Sequence, residues 1–538
     1  MQRLPPVIVF VLLMIAIVIW HSRLAFIQFG GFDGGYLINV AWAQYTGLAA
    51  YRDFSTPMPA LFVYPAGWAF LLGGPSWGSL TALVCVFSVL TSTWIFALLI
   101  RATGKAWASL FFTVLLQAMT FLPLSWWWYN QITAVIEAIY LGSVFFLLLE
   151  PGDRYARASF WLAVALTGLA KANTAGLLLI LTHLILLTRP STRLFVLVAS
   201  ASATAFDAAF LFLEHASPVL LLQNYSLLSA RLISTDCWQY CLFQGCTEEH
   251  LPSFIANGCL AMLILHAICC HKETLVREGW HTLLLLIFGV VFVVGAIGMI
   301  TDSDLKMTEA APMMMIVPFL QYFLRRGYAP MPGRKLAYAY IIFFYFIAMS
   351  LFLGITRARV FSIGKDYFAE DVPLIPIQSP AFFRGMQVGP KLNDVLKDVN
   401  QVLLENGIPG TGDNSKKIFF GPRIDFCYAA YHLSFEPGLP ICWEKIPSSH
   451  HGEEYPTGIY IAAGMVAPSR WIELGEPPDP RVMAFIHARF DLCIFVIGYE
   501  HIADMSYIPA DIRAELHDHY KMEYRDRIVV FTRKDDSP

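Results

Sequence analysis

The chain has 538 residues, of which 57% are hydrophobic and only 14% charged, with a formal net charge of −3. Soluble domains carry about a quarter charged residues, so this balance and a mean hydropathy of +0.56 exclude a chain solvated mainly by water. Near-neutrality excludes bulk electrostatic attraction to nucleic acid.

A helix needs about 17–25 apolar residues to cross a ~30 Å hydrocarbon core. Apolar stretches near that length recur at 5–20, 78–100, 106–123, 132–149, 158–170, 174–188, 194–213, 251–270, 282–300, 312–324 and 335–353, which predicts eleven spans. No small-residue cleavage site follows the first, so it reads as a signal anchor. One set of loops holds Arg3, Arg101, Lys105, Arg154, Arg157, Arg189, Arg193, Lys272, Arg277, Arg325, Arg326, Arg334 and Lys335. The alternate loops hold only Arg23, Arg52, Lys171, Arg231 and Lys306. The positive-inside rule makes the first set cytoplasmic. The expected topology has the N-terminus inside and everything after Leu353 outside.

Three outer segments are large. The segment 21–77 contains a helix-like stretch at 36–48 and a second at 60–72, interrupted by Pro65 and Gly67; both read as helices lying in the interface. The segment 214–250 is polar and holds Cys237, Cys241 and Cys246. From about residue 356 charges become frequent. There 416–421, 491–498 and 527–532 read as buried strands, and 510–520 as a helix, which suggests a small α/β domain. Cys427 and Cys442 flank a turn-rich segment and read either as a disulfide or as free buried thiols. The expected fold is thus an all-α polytopic membrane domain, 1–355, and a soluble outer α/β domain, 356–538.

After the first span come Phe32-Asp33-Gly34-Gly35-Tyr36-Leu37 and then Tyr51-Arg52-Asp53-Phe54-Ser55-Thr56-Pro57-Met58-Pro59-Ala60-Leu61. This order resembles the first outer loop of GT-C membrane glycosyltransferases, in the bacterial branch with protein O-mannosyltransferase-like and aminoarabinose transferase-like enzymes. The resemblance implies a GT-C-like fold in the plasma membrane. It implies that a sugar moves from a polyprenyl-phosphate carrier to a lipid, glycan or protein acceptor on the outer face. A hydroxyl acceptor needs a base within hydrogen-bond reach, and the resemblance falls on Asp33 for that role. A lipid phosphate leaving group needs a preorganised cation. Arg52, Lys171 and Lys306 are the candidates, with Asp53 and Asn130 as further substrate contacts.

Blander readings stand beside these. Asp33 is placed to cap a helix beginning at Tyr36, and Asp53 to make a turn. Lys171, in an apolar hairpin, reads as a snorkelling lysine or as a residue with a function, since an ionisable group at membrane depth is costly. Asp302 and Asp304, in the charged loop 301–309, read as part of a solvated connector or as ligands of a divalent cation. His183 reads as a packed core histidine. The aromatic run Trp126-Trp127-Trp128-Tyr129 reads as an interfacial belt or as a sugar-stacking platform. Two departures from the family pattern stand out: Met58 replaces a usual His or Lys, and the loop 125–131 lacks an acid, leaving Asn130 as its substitute. A lipid-linked glycan transporter and an inactive scaffold of the same fold are the competing readings.

Overall fold

The computed structural model describes residues 5–221, 251–301, 311–325, 374–408, 416–436, 443–445, 460–462, 485–496 and 510–534, apart from a few positions within them. Lys306, Asp302, Asp304, Arg231, Cys237, Cys241, Cys246, Cys442 and the stretch 335–353 lie outside the described residues.

The first part of the chain is helical: α1 (Pro6–Leu24), α2 (Gly31–Tyr45), α3 (Ala60–Gly73), α4 (Trp77–Thr103), α5 (Ala106–Met119), α6 (Tyr129–Leu149), α7 (Arg154–Gly168), α8 (Leu177–Leu187) and α9 (Pro190–Leu213). After the segment 222–250 come α10 (Leu251–Cys270), α11 (Lys272–Arg277), α12 (His281–Thr301) and α13 (Ala311–Arg325). Among the described residues, Pro6–Ile27, Trp77–Thr103, Tyr129–Leu149 and Pro190–Leu213 are helical segments long and apolar enough to cross a membrane. The other apolar helices are shorter, including Ala106–Met119, Ala172–Leu187 and His281–Ile297.

α6 is the axis of this part. Every residue from Asn130 to Leu147 is buried, because α3, α4, α7 and α13 all pack against it. A helix that is buried all round belongs in the middle of a bundle. By contrast α1 exposes Val7, Val11, Leu12, Ile15 and Ile19, and α9 exposes Leu194, Val198, Phe206 and Leu213. Apolar surface of this extent on peripheral helices is what a lipid environment requires. The chain therefore has an α-helical membrane domain.

Basic residues gather where helix ends meet. The Arg101 guanidinium lies 3.6 Å from the Tyr155 ring centroid and 3.8 Å from the Asp153 carboxylate. Arg189 Nη2 donates to the Gly279 carbonyl at 2.8 Å. These contacts bring the α4–α5 connection beside the α6–α7 connection, and the α8–α9 connection beside the α11–α12 connection.

The first loop departs from expectation at two points. α2 begins at Gly31, not Tyr36, so Asp33 lies within its first turn and does not cap it. The helix runs through Gly34 and Gly35 because packing outweighs their weak propensity. A Cβ at Gly34 would stand 3.1 Å from Trp126 Cζ3, and one at Gly35 3.3 Å from the Phe426 ring. α3 runs unbroken through Pro65 and Gly67. Gln44 of α2 fills the space that a side chain at 67 would take, 2.6 Å from its Cβ position, and Gln44 Nε2 donates to the Val63 carbonyl at 2.8 Å.

The C-terminal domain contains β1 (Ile375–Pro376), β2 (Gln387–Val388), α14 (Pro390–Glu405), β3 (Ile418–Phe420), α15 (Cys427–Ala430), β4 (Trp443–Lys445), β5 (Tyr460–Ala462), β6 (Leu492–Val496), α16 (Ala510–His519), β7 (Tyr520–Tyr524) and β8 (Ile528–Arg533). The main sheet has the order β3-β6-β8-β7, with β3 parallel to β6 and the other pairs antiparallel. Its side chains alternate between two cores with the period of two that strands impose. Phe420, Ile494 and Val530 join α14, whereas Phe419, Cys493, Phe495 and Phe531 join Ile512 and Leu516 of α16. Cys427 is a thiol buried on α15, and that burial pushes its pKa up; its expected partner, Cys442, lies outside the described residues.

This domain docks on the first loop. Phe29 packs edge-on against Phe383 and Phe426, and Phe70 against Phe382. Trp42 Nε1 donates to the Leu433 carbonyl at 2.8 Å. Trp42→Phe keeps most of the ring area but orphans that buried carbonyl, which costs about 1–3 kcal/mol. The expected result is a lower melting temperature and faster amide exchange across 427–433. Unchanged exchange there would show that the contact does not hold the domains together.

Candidate functional site

Four pieces of chain meet at the end of α6 that carries Tyr129 and Asn130. The loop before α6 points its indoles inward. Trp126, Trp127 and Trp128 are all buried, which removes the interfacial-belt reading. Trp126 and Trp128 lie parallel at 6.0 Å, and Trp127 Nε1 donates to the Phe62 carbonyl at 2.9 Å. Phe62 of α3 stands edge-on to Trp128 at 5.6 Å and stacks with Tyr36 of α2 at 6.5 Å. The Trp126 indole N–H is buried with no acceptor among the described residues. Buried donors are nearly always paired, so its acceptor lies outside the described residues.

Lys171 sits at the same place. It is 5% exposed and begins a π-helical turn, Ala172–Gly176, that separates α7 from α8. Its Nζ donates to Asn130 Oδ1 at 3.0 Å and stands 5.4 Å from the Tyr129 ring centroid. Its backbone N–H points to Thr133 Oγ1 at 3.4 Å. Just before it, the Leu169 carbonyl accepts from the Leu61 N–H of α3 at 2.9 Å. Lys171 is therefore held from three sides and does not snorkel: burial with a hydrogen-bond partner replaces escape to the interface.

A polar seam continues inward. Asn130, Thr133, Glu137 and Tyr140 recur at the spacing of one helix face. Glu137 is fully buried, with Lys171 and Thr174 beside its carboxyl group. Neither Glu137 oxygen meets a hydrogen-bond partner in good geometry among the described residues. Deeper, Tyr140 OH and His183 Nδ1 are 3.0 Å apart, and His183 also contacts the Leu179 carbonyl at 2.7 Å. His183 is thus a packed histidine, as its sequence context suggests. The site candidates read from sequence include Asn130 and Lys171 but not Glu137. Its signal is an acid in the middle of an apolar stretch.

The other candidates are distributed differently. Asp33 is in the first turn of α2, one residue from Gly34, whose backbone abuts Trp126. Its position on the chain thus borders the aromatic wall. Arg52 and Asp53 pair with each other: Arg52 Nε reaches Asp53 Oδ1 at 2.8 Å and Nη2 reaches Oδ2 at 2.6 Å. Asp53 also accepts from the Ala49 N–H at 2.8 Å, closing a turn in which Tyr51 has a φ of 59°. Arg52 holds the Asp53 carboxyl below its ordinary value, chiefly by hydrogen bonding. Asp53 therefore serves the turn, and both side chains are partly exposed. The turn is tied to the end of α9 by the Ser217 N–H, which donates to the Tyr51 carbonyl at 2.9 Å. No group of three His, Cys, Asp or Glu side chains suited to a metal occurs among the described residues.

The arrangement offers a buried cation, an amide, an indole N–H and flat aromatic faces at one end of the central helix. Such a set can hold an anionic group beside a ring-shaped polar one. Comparison of the sequence with protein-family models and with curated proteins finds no match.

Proposed function

We propose that this chain is a GT-C-like membrane glycosyltransferase that moves a sugar from a polyprenyl-phosphate carrier to a lipid, glycan or protein acceptor. The observation that carries the reading is Lys171. A buried ammonium turned toward Asn130 and an aromatic wall is a preorganised site for the charge that grows on a departing lipid phosphate. Asp33 is the general base in this reading, and Lys306 a second phosphate contact. Trp126 and Trp128 offer faces for the sugar. A divalent cation, if used, is held at Asp302 and Asp304.

The same reading has eleven spans in the plasma membrane, with the site and the C-terminal domain on the outer side. Alkaline phosphatase fused after Pro538 is then expected to be active, and fused after Arg326 inactive. The reverse pattern would overturn the topology.

A lipid-linked glycan transporter is the second reading. The observation in its favour is the π-helical turn beside a buried charge, since transporters place irregular helix at their binding sites. An assay with purified protein in nanodiscs, labelled polyprenyl-phosphate sugar and envelope glycan acceptors separates them. Label transferred covalently to acceptor supports the enzyme; label moved between leaflets with its carrier intact supports transport.

A further inference from the structure

The seam beneath Lys171 contains an acid that the proposed reaction does not use. Glu137 is enclosed on every side, and among the described residues neither of its oxygens meets a hydrogen-bond partner in good geometry. A carboxylate so placed is expensive unless something offsets it. What lies beside it is the Lys171 charge, with the Thr174 hydroxyl. The two charged groups form no ion pair within 4.0 Å.

Helix geometry explains the separation. Asn130 and Glu137 are seven residues apart on α6, about 10 Å along its axis, and helical side chains lean toward the N-terminus. The Lys171 backbone is anchored between them, at Thr133. Its stem runs toward Asn130, whose Oδ1 accepts a hydrogen bond from Nζ at 3.0 Å. Glu137 lies four residues beyond Thr133 on the same helix face. Of the polar groups nearby, Tyr140 and His183 contact each other and Asp207 of α9 lies against Gly168, while Thr174 stands beside the carboxyl group.

We infer that Glu137 is a positioning residue for Lys171: it offsets the buried ammonium from below, leaving Nζ turned toward Asn130 to meet a phosphate. The phosphate part of this inference rests on the proposed donor; the charge pairing does not.

The test uses the full-length protein in nanodiscs, with a polyprenyl monophosphate and the matching uncharged polyprenol as probes. Glu137→Gln is expected to weaken phosphate-lipid binding at least tenfold and leave polyprenol binding unchanged. Glu137→Asp should restore most of the loss. Glu137→Gln combined with Lys171→Met should bind no worse than Lys171→Met alone, because the acid acts only through the lysine. The same cycle is read by thermal unfolding. Glu137→Gln strands a buried charge and should lower the melting temperature by several degrees, and the double variant should recover part of that fall. Unchanged phosphate-lipid binding in Glu137→Gln, or equal weakening of both lipids, would overturn the positioning role. If the wild-type protein does not prefer the phosphate lipid, the donor reading fails. The unfolding cycle then decides the pairing alone, and additive melting shifts would overturn it.

Discussion

Asp33→Asn is expected to abolish glycan transfer while leaving the protein folded. Loss of a general base costs about 10²–10⁴-fold in rate. The structural cost is small. Asp33 lies in the first turn of α2, where a negative charge gains about 0.3–1 kcal/mol from the helix dipole. Asn forfeits that gain and keeps the size. Expression and melting temperature should therefore stay near wild type while transfer, measured with labelled donor in nanodiscs, falls below detection. A transporter has no acceptor proton to remove, so leaflet exchange of the carrier would survive the change. Near-normal transfer by Asp33→Asn would move the search for the base to Asp302 and Asp304. Asp53 is a poor substitute, because Arg52 and the Ala49 N–H already occupy its oxygens.

Lys171→Met is expected to remove the preference for a phosphate-bearing lipid. Met matches the length of the stem but leaves the buried Glu137 without the cation beside it, so the bundle should still assemble with a lower melting temperature. The Asn130 Oδ1 atom loses its donor, and an arriving phosphate loses its cation. Truncating one member of a buried, hydrogen-bonded charge pair costs about 2–5 kcal/mol, which corresponds to roughly 30-fold to several-thousand-fold in affinity. The measurement is binding of polyprenyl monophosphate against polyprenol. Equal loss for both lipids would mean that Lys171 shapes the pocket without meeting a phosphate, and the donor site would have to be placed elsewhere.

Trp126 offers a smaller but sharper probe of the same wall. Its indole N–H has no acceptor among the described residues. Trp126→Phe removes that donor and keeps an aromatic face beside Gly34. Stability should change little, while the Michaelis constant for the sugar donor should rise by about fivefold to tenfold, the value of one hydrogen bond at about 1–1.4 kcal/mol. No kinetic change would exclude the N–H from substrate binding.

Much of this molecule is legible before folding is considered. Each expected apolar stretch except 335–353, which lies outside the described residues, overlaps a helix. That success has a local cause: a run of apolar side chains is a property of neighbouring residues, and lipid leaves the backbone few other ways to pair its groups. The strands at 418–420, 492–496 and 528–533 are legible for a similar reason, being short apolar runs. β7 is less so: Tyr520, Met522 and Tyr524 alternate with Lys521 and Glu523, but four of its five residues face solvent and the run is short. α14 was within reach: Leu392, Val395, Leu396, Val399, Val402 and Leu403 recur at helical spacing on its buried face.

The sequence by itself determined that lipid solvates the first part of this chain, that a folded α/β unit follows, and that Lys171 and Asn130 merit attention. Each follows from local pattern or from the cost of a polar group in an apolar run. Only the tertiary structure decided which polar residues meet. Asn130 and Lys171 are 41 positions apart and bond because α6 packs beside the turn after α7. Glu137 joins them because it shares a helix face with Asn130. Positions 34 and 35 suit glycine because Trp126 and Phe426 occupy the space a side chain there would need. Contacts between distant segments are set by packing of whole elements, and no window of sequence contains both partners.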